Sequence, residues 1–224
     1  MRVSIVIPVL NEAAHIETCL RNLQSLRAGG HEIVVVDGGS RDDTVARAGD
    51  LADRVMQAPR GRANQMNAGM NVATGDVVLF LHVDTLLPEN ACGFVLEGLG
   101  TTGLWGRFDV RLSGSGFAFR VIEFFMNRRS RLTGIATGDQ AIFVRNDVLR
   151  KVGGYSNIPL MEDIDLSRRL KRLGRPVNLR QRVATSSRRW ERDGIFRTVW
   201  LMWRLRFAYW RGVAPAKLAE QYWS

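Results

Sequence analysis

Acidic residues recur at places where an α/β protein can use them: Asp37 in Asp37-Gly-Gly-Ser-Arg-Asp-Asp43, Asp84 in His82-Val-Asp84, Asp139 in Gly138-Asp-Gln140, and the pair Glu162-Asp163. A carboxylate can accept a hydrogen bond from a base edge, hold a divalent cation against a phosphate, or take a proton from a hydroxyl. Each also has a plainer reading. Strands often end in Asp for turn chemistry, and acids in the first turn of a helix are favoured by its dipole. What argues for shared chemistry is their order, since every one of the four follows an apolar run or opens a helix.

The elements that must position them can be read from hydrophobic spacing. Val3-Ser-Ile-Val-Ile-Pro-Val-Leu10 is a strand signal, and Asn11-Glu12 is expected to open a helix with Ile16, Cys19, Leu20 and Leu23 on its apolar face, stopped by Gly29-Gly30. Residues 32–36 form a second buried strand running into Asp37, and two strand–helix units in succession imply parallel pairing. A shorter strand at 54–56 and a helix over 61–73, carrying Asn64, Asn67 and Asn71 beside Met66 and Met70, lead to the central strand, 76–84. That strand delivers His82 and Asp84 to the carboxyl end of the sheet, where ligands of open α/β sheets bind. Further on, 103–112 reads as β, 117–125 as helical, 138–145 as a strand entered from a polar loop, and 176–179 as a last strand. Glu162-Asp163-Ile-Asp165 opens the helix of Leu166, Leu170 and Leu173.

The 224 residues suffice for one large α/β domain, and 32 Lys plus Arg against 22 Asp plus Glu give a net charge of +10. Anionic lipid, nucleic acid and phosphorylated substrates all suit that charge. Cys19 and Cys92 have no metal-ligand spacing and read as buried thiols. Without a signal-peptide pattern or a membrane-spanning run, the expected location is cytoplasmic. The final stretch differs: Phe196, Trp200, Trp203, Phe207 and Trp210 recur at helical spacing, with Arg197, Arg204 and Arg211 at their edge. Such a helix fits a membrane interface, and equally a face packed on the domain or on a dimer partner.

Taken together, Val3-Ser-Ile-Val-Ile-Pro-Val-Leu-Asn-Glu12, Val35-Val-Asp-Gly-Gly-Ser-Arg-Asp-Asp-Thr44, His82-Val-Asp84, Gly138-Asp-Gln140 and Glu162-Asp163 resemble the family 2 glycosyltransferases over about residues 1–180. Asn67-Ala-Gly69, Phe80-Leu-His-Val-Asp-Thr85 and Ser187-Arg-Arg-Trp-Glu191 are similar to a small bacterial subgroup of short members. The resemblance implies the nucleotide-diphosphosugar transferase (GT-A) fold, a Rossmann-like, mostly parallel sheet with flanking helices, in residues 1–190. The amphipathic helix would lie in an appendage at 191–224.

It further implies an inverting transfer from a nucleoside-diphosphate sugar, most simply a UDP-sugar, to an acceptor hydroxyl. Pro8, Asn11 and Glu12 would lie in the nucleotide loop, Asp37 would read the base, and Arg62 and Asn67 would border the nucleotide. His82, Val83 and Asp84 stand where the family has Asp-X-Asp, so Asp84 would hold the divalent cation, Mn2+ or Mg2+. An imidazole in the first position departs from that pattern, and His82 fits a supporting or ribose contact better than a metal ligand. Asp163 matches the catalytic base, with Glu162 positioning it and Asp139 and Gln140 on the acceptor side. Arg188 and Arg189 would face the diphosphate, although Ser186 replaces the Gln of the motif found in processive members.

A lipid-linked acceptor drawn from the membrane would place the enzyme peripherally on the inner face, and a homodimer is compatible with the last helix. Two alternatives compete. A nucleotidyltransferase shares the fold but needs a Gly-rich basic phosphate loop, which Val9-Leu-Asn-Glu-Ala-Ala does not provide. A non-catalytic membrane- or nucleic-acid-binding protein would use the Arg/Trp tail, but the acidic cluster disfavours nucleic acid.

Overall fold

In the computed structural model, which describes residues 1–223, β1 (Val3–Val9) is the hub of the sheet. Its β-branched residues suit a strand covered on both faces, and all but Pro8 are buried. The chain continues through α1 (Ile16–Asn22), α2 (Gln24–Ala28), β2 (Glu32–Asp37), α3 (Thr44–Ala48), β3 (Arg54–Gln57), α4 (Arg62–Val72) and β4 (Val77–Phe80). Each helix returns the chain to the starting edge, so β1 pairs in parallel with both β2 and β4, and β2 with β3. The first helix begins at Ile16 rather than at Asn11. Asn11 takes φ 55°, and His15 and Ile16 both donate backbone hydrogen bonds to the Glu12 carbonyl, so residues 11–15 form a turn instead.

The second half comprises β5 (Thr85–Leu86), α5 (Ala91–Leu99), β6 (Trp105–Leu112), α6 (Phe117–Thr133), β7 (Phe143–Arg145), α7 (Asn146–Lys151), α8 (Glu162–Lys171) and β8 (Val177–Thr185). It closes with α9 (Arg188–Asp193), α10 (Ile195–Trp210) and α11 (Pro215–Trp223). The sheet order is β3-β2-β1-β4-β7-β6-β8-β5. The β6–β8 pair is parallel, while β7 runs antiparallel to β4 and β6, and β5 to β8.

Three strand expectations change in extent: the central strand, expected over 76–84, spans only Val77–Phe80, and residues 81–84 form a loop and turn. Only Phe143–Arg145 of 138–145 is strand, because Thr137 caps a 3-10 turn over Gly138–Gln140. The last strand runs on to Thr185, paired with β6 on one side and β5 on the other.

Alternate residues of each strand enter opposite layers. Ile5, Ile7, Ile33, Val35 and Leu79 pack with Leu20, Cys92 and Val95 on one face. Val6, Val34, Val36, Val78 and Phe80 pack with Met66, Met70, Leu166 and Leu170 on the other. Helix α4 comes so close that a Cβ on Gly69 would lie 2.3 Å from Val6 Cγ1. Both cysteines are free and buried, and burial pushes each thiol up to about 12, which leaves them as small apolar fillers.

A third, smaller core joins the C-terminal helices to the start of α8: Leu205 and Leu218 cover Met161 and Ile164. The other face of α10 is open, with Phe196 91%, Trp200 62%, Trp203 73%, Phe207 60% and Trp210 68% exposed. Among the described residues no helix is long and apolar enough to cross a membrane.

Candidate active site

The carboxyl ends of β1 and β2 are zipped together by their own loops. The buried Asp37 carboxylate accepts the backbone N–H of Gly39 at 3.0 Å and of Ser40 at 3.0 Å, and the Ser40 hydroxyl. Ser40 Oγ in turn accepts the Asn11 N–H at 2.8 Å, and Asn11 Oδ1 accepts the Arg41 N–H at 2.8 Å. Glu12 donates its N–H to Thr44 Oγ1 at 2.7 Å, which leaves its carboxyl pointing elsewhere. Pro8 sits half-buried opposite Val36 in the same edge. Gln65 was not singled out by the sequence, yet its Nε2 ties α4 to this edge by donating to the carbonyls of Val9 (2.7 Å) and Val36 (2.9 Å).

The loop after β4 carries His82, Val83 and Asp84 to the same edge. Val83 is buried in the core, so its side chain serves packing. Asp84 is about one-third exposed, with Arg188 Nη2 3.8 Å from its Oδ2. Arg188 also donates to Ser186 Oγ at 3.0 Å and to His15 Nε2. Glu12 belongs to this group: burial pushes its carboxyl up, His15 and Arg188 pull it down, and Asp84 adds to the rise. Glu12, His15, Asp84 and Arg188 therefore form one mixed-charge cluster. Sequence spacing could not reveal His15 as a member, because its partner Arg188 is 173 residues away. The side chain of Arg189 lies outside the described residues.

Two residues before Asp84, the His82 ring lies against Gly138: a Cβ there would be 2.5 Å from His82 Nε2. Burial, helped by the nearby Arg62 charge, lowers the imidazole to about 3, so His82 is neutral at physiological pH. Gly138 is held by Asp163, whose Oδ2 accepts its N–H at 2.9 Å, while Oδ1 accepts the N–H of Ile164 at 2.7 Å. Each Asp163 oxygen retains a lone pair for a further proton.

Glu162 beside it is buried and paired with Arg62 at 3.3 Å. Burial, with the adjacent Asp163 charge, raises Glu162 to about 7 against the pull of Arg62. Acids at this place are helped by the N-terminus of α8, which Met161 opens at φ 70°. Asp139 accepts the Thr137 hydroxyl, and burial pushes its carboxyl up, with Arg129 opposing. Gln140 is fully buried; its Oε1 accepts the Thr137 N–H at 3.2 Å and its Nε2 has no partner.

Asn67, expected beside the nucleotide, bonds to the chain itself. It donates to the Tyr155 carbonyl and accepts the Tyr155 N–H, both at 2.8 Å, and so fixes the loop before α8. The Tyr155 ring meets Phe80 edge-on at 4.9 Å, and burial pushes its hydroxyl well above the usual phenol range. The structure thus gathers a mixed-charge cluster around Asp84 and an acidic cluster around Asp163, joined by the His82–Gly138 contact.

The profile described as "Glycosyl transferase family 2" matches residues 4–152. A PGL/p-HBAD biosynthesis glycosyltransferase of Mycobacterium bovis is 32% identical over 165 residues, 68% of this chain and 62% of that protein. Poly-beta-1,6-N-acetyl-D-glucosamine synthase of Staphylococcus aureus is 31% identical over 93 residues, 39% of this chain and 23% of that one. The chain thus spans 62% of the length of the mycobacterial relative.

Among solved structures, S. aureus TarS 1-349 superposes with a TM-score of 0.66 at 18% identity, covering 84% of this chain and 61% of that one. Glucosyl-3-phosphoglycerate synthase of Mycobacterium tuberculosis, solved with Mn2+, UDP and glucosyl-3-phosphoglycerate, gives 0.60 at 20% identity, covering 82% and 70%. The sheet that carries both clusters is therefore that of the GT-A glycosyltransferases, and the chain belongs to glycosyl transferase family 2.

Proposed function

We propose that this chain transfers a sugar from a UDP-sugar to an acceptor hydroxyl in one inverting step, and that Asp84 would hold a divalent cation. The observation that carries this reading is the juxtaposition at one sheet edge of a half-open carboxylate, Asp84, and a carboxylate positioned by backbone, Asp163, on either side of the His82–Gly138 contact. The structural neighbours were solved with UDP and Mn2+ or Mg2+, or with UDP-GlcNAc, which supports the donor class.

Asp84 offers an accessible oxygen donor of the kind hard divalent ions take, whereas the Nε2 edge of His82 is closed by Gly138. Asp84 would hold a Mn2+ or Mg2+ there, which would supply charge neutralisation to the leaving diphosphate. Glu12 and Arg188 flank the same place, and Asn11 with Asp37 shapes the loops that receive the nucleoside. Asp163 removes the proton of the acceptor hydroxyl as its oxygen bonds to the anomeric carbon; the bond to the diphosphate breaks and UDP leaves. The N–H groups of Gly138 and Ile164 hold that carboxylate, Glu162 pairs with Arg62 next to it, and Asp139 and Gln140 line the acceptor side.

The bare aromatic face of α10, edged by arginines, supports membrane association and a lipid-linked acceptor, with residues 1–190 as the transferase unit and 191–224 as its appendage. The test is a thermal-shift screen of nucleoside-diphosphate sugars with and without Mn2+ on wild type and Asp84→Ala. A UDP-sugar at ~100 times its Kd stabilises the fold by roughly 2.7 kcal/mol, and Asp84→Ala should lose the metal-dependent part of that gain. Identical metal-dependent shifts in both proteins would refute the role of Asp84.

A further inference from the structure

Helix α6 is amphipathic the wrong way round. A surface helix ordinarily turns its apolar stripe inward. Here Phe117, Val121, Phe124, Phe125 and Leu132 share one face and are 83%, 37%, 58%, 61% and 75% exposed. The inward face is largely polar, and it completes the open edge of β6. Asn127 accepts the Val110 N–H at 2.8 Å and donates to its carbonyl at 3.0 Å; Glu123 accepts the Leu112 N–H at 2.5 Å; Arg120 donates to the Leu112 carbonyl at 2.8 Å. Docking therefore needs the polar side chains and leaves the aromatic ones unpartnered.

Beside that stripe lies a groove of about 610 Å³ between α6, β6 and β8, lined by Phe124 and five arginines. Two of the arginines are neutralised, Arg120 by Glu123 at 3.0 Å and Arg131 by Asp109. Arg128, Arg180 and Arg182 are exposed and, among the described residues, have no carboxylate partner; Arg128 rests its guanidinium 6.0 Å from the centre of the Phe124 ring. The groove thus offers an excess of three fixed cations next to bare aromatic rings. Guanidinium forks match phosphate, and phenyl rings beside them suit the boundary between headgroups and acyl chains. A second copy of this chain seated on the same patch would bring the same three cations against one another, which disfavours an isologous dimer.

We infer that the outer face of α6 with the Arg128–Arg180–Arg182 groove is a binding surface for anionic phospholipid headgroups, separate from the aromatic face of α10. The full chain should co-sediment with phosphatidylcholine vesicles containing phosphatidylglycerol and not with pure phosphatidylcholine. The triple variant Arg128→Gln, Arg180→Gln, Arg182→Gln should lower that affinity by about a hundredfold, since each surface arginine contributes roughly fivefold. Its melting temperature should stay unchanged, because none of the three supports the fold. Phe124→Ser with Phe125→Ser should also weaken binding while preserving its decline with salt.

Equal vesicle binding by wild type and the arginine variant would overturn the inference, and so would no binding by wild type. Saturable, arginine-dependent binding of soluble glycerol phosphate, with no preference for the vesicle, would assign the groove to a soluble phosphate ester instead. A concentration-dependent dimer abolished by the Phe124 and Phe125 changes would assign the face to a second copy. Because Trp200, Trp203 and Phe207 are intact in both α6 variants, equal binding by wild type and these variants leaves the α10 reading standing, whereas no binding by wild type overturns both readings.

Discussion

Asp163 and Glu162 are chemically alike and adjacent, yet the structure separates their tasks. Asp163 holds one backbone N–H on each oxygen, while Glu162 is buried against a single guanidinium. Asp163→Asn should lower turnover by about 10²–10⁴ and leave the UDP-sugar thermal shift intact, as expected for loss of a general base without loss of the donor site. A variant that loses both together would make Asp163 a binding residue.

Glu162 titrates in the opposite sense to a salt-bridged surface acid. Its folded value of about 7 lies above the ordinary 4.5, so the folded state holds the proton more tightly. Its contribution is therefore full below about 4.5 and is lost as pH rises through about 7. Melting temperature should fall across that window in wild type, and Glu162→Gln should flatten the fall. An unchanged slope in the variant would assign the window to another group. Spacing along the chain was enough to single out Asp84 and Asp163 as candidates. It could not find Tyr155, whose backbone is clamped by Asn67 from 88 residues away.

At the scale of elements, the site depends on how closely two of them approach. The turn Gly138–Gln140 meets the loop after β4 through the Nε2 edge of the His82 ring, and only a residue without Cβ fits. Gly138→Ala should cost about 1–3 kcal/mol by overpacking and displace His82. Adding His82→Ala should recover most of that loss in a double-mutant cycle. Strictly additive losses would show that the strain lies elsewhere. The sequence marked this segment as strand because Ala141, Ile142, Phe143 and Val144 are apolar. The Thr137 cap and the αL conformation of Ala141 instead spend its first half on a turn. Helix α6 is the sharper case. Its apolar spacing was legible, but which face would turn inward was set by the unpaired edge of β6, which needs donors and acceptors more than it needs area.

Across the whole molecule, the C-terminal helices are at once packed and exposed. Leu205 and Leu218 cover Met161 and Ile164 at the start of α8, so removing α10 and α11 would uncover residues next to Glu162 and Asp163. Substitution of the bare face is the cleaner test of membrane binding. Trp200→Ser, Trp203→Ser and Phe207→Ser together should reduce co-sedimentation with anionic vesicles and leave the melting temperature within a degree or so, since surface changes away from packing are usually within about ±0.5 kcal/mol. With a net charge of +10, wild-type binding should also weaken as salt rises. Unaltered binding by the aromatic variant would exclude α10 as the contact.

By itself the sequence determined the parallel half of the sheet, the order of the acidic motifs, and the presence of an amphipathic C-terminal helix. All three follow from local hydrophobic period and turn chemistry, which act within a few residues. Only the tertiary structure decided that His82 faces Gly138, that His15 joins Arg188 and Asp84, that Gln65 and Asn67 serve the scaffold, and that α6 turns its rings outward. Those outcomes rest on contacts between segments far apart in the chain, where burial and the pairing of backbone polar groups outweigh local preference.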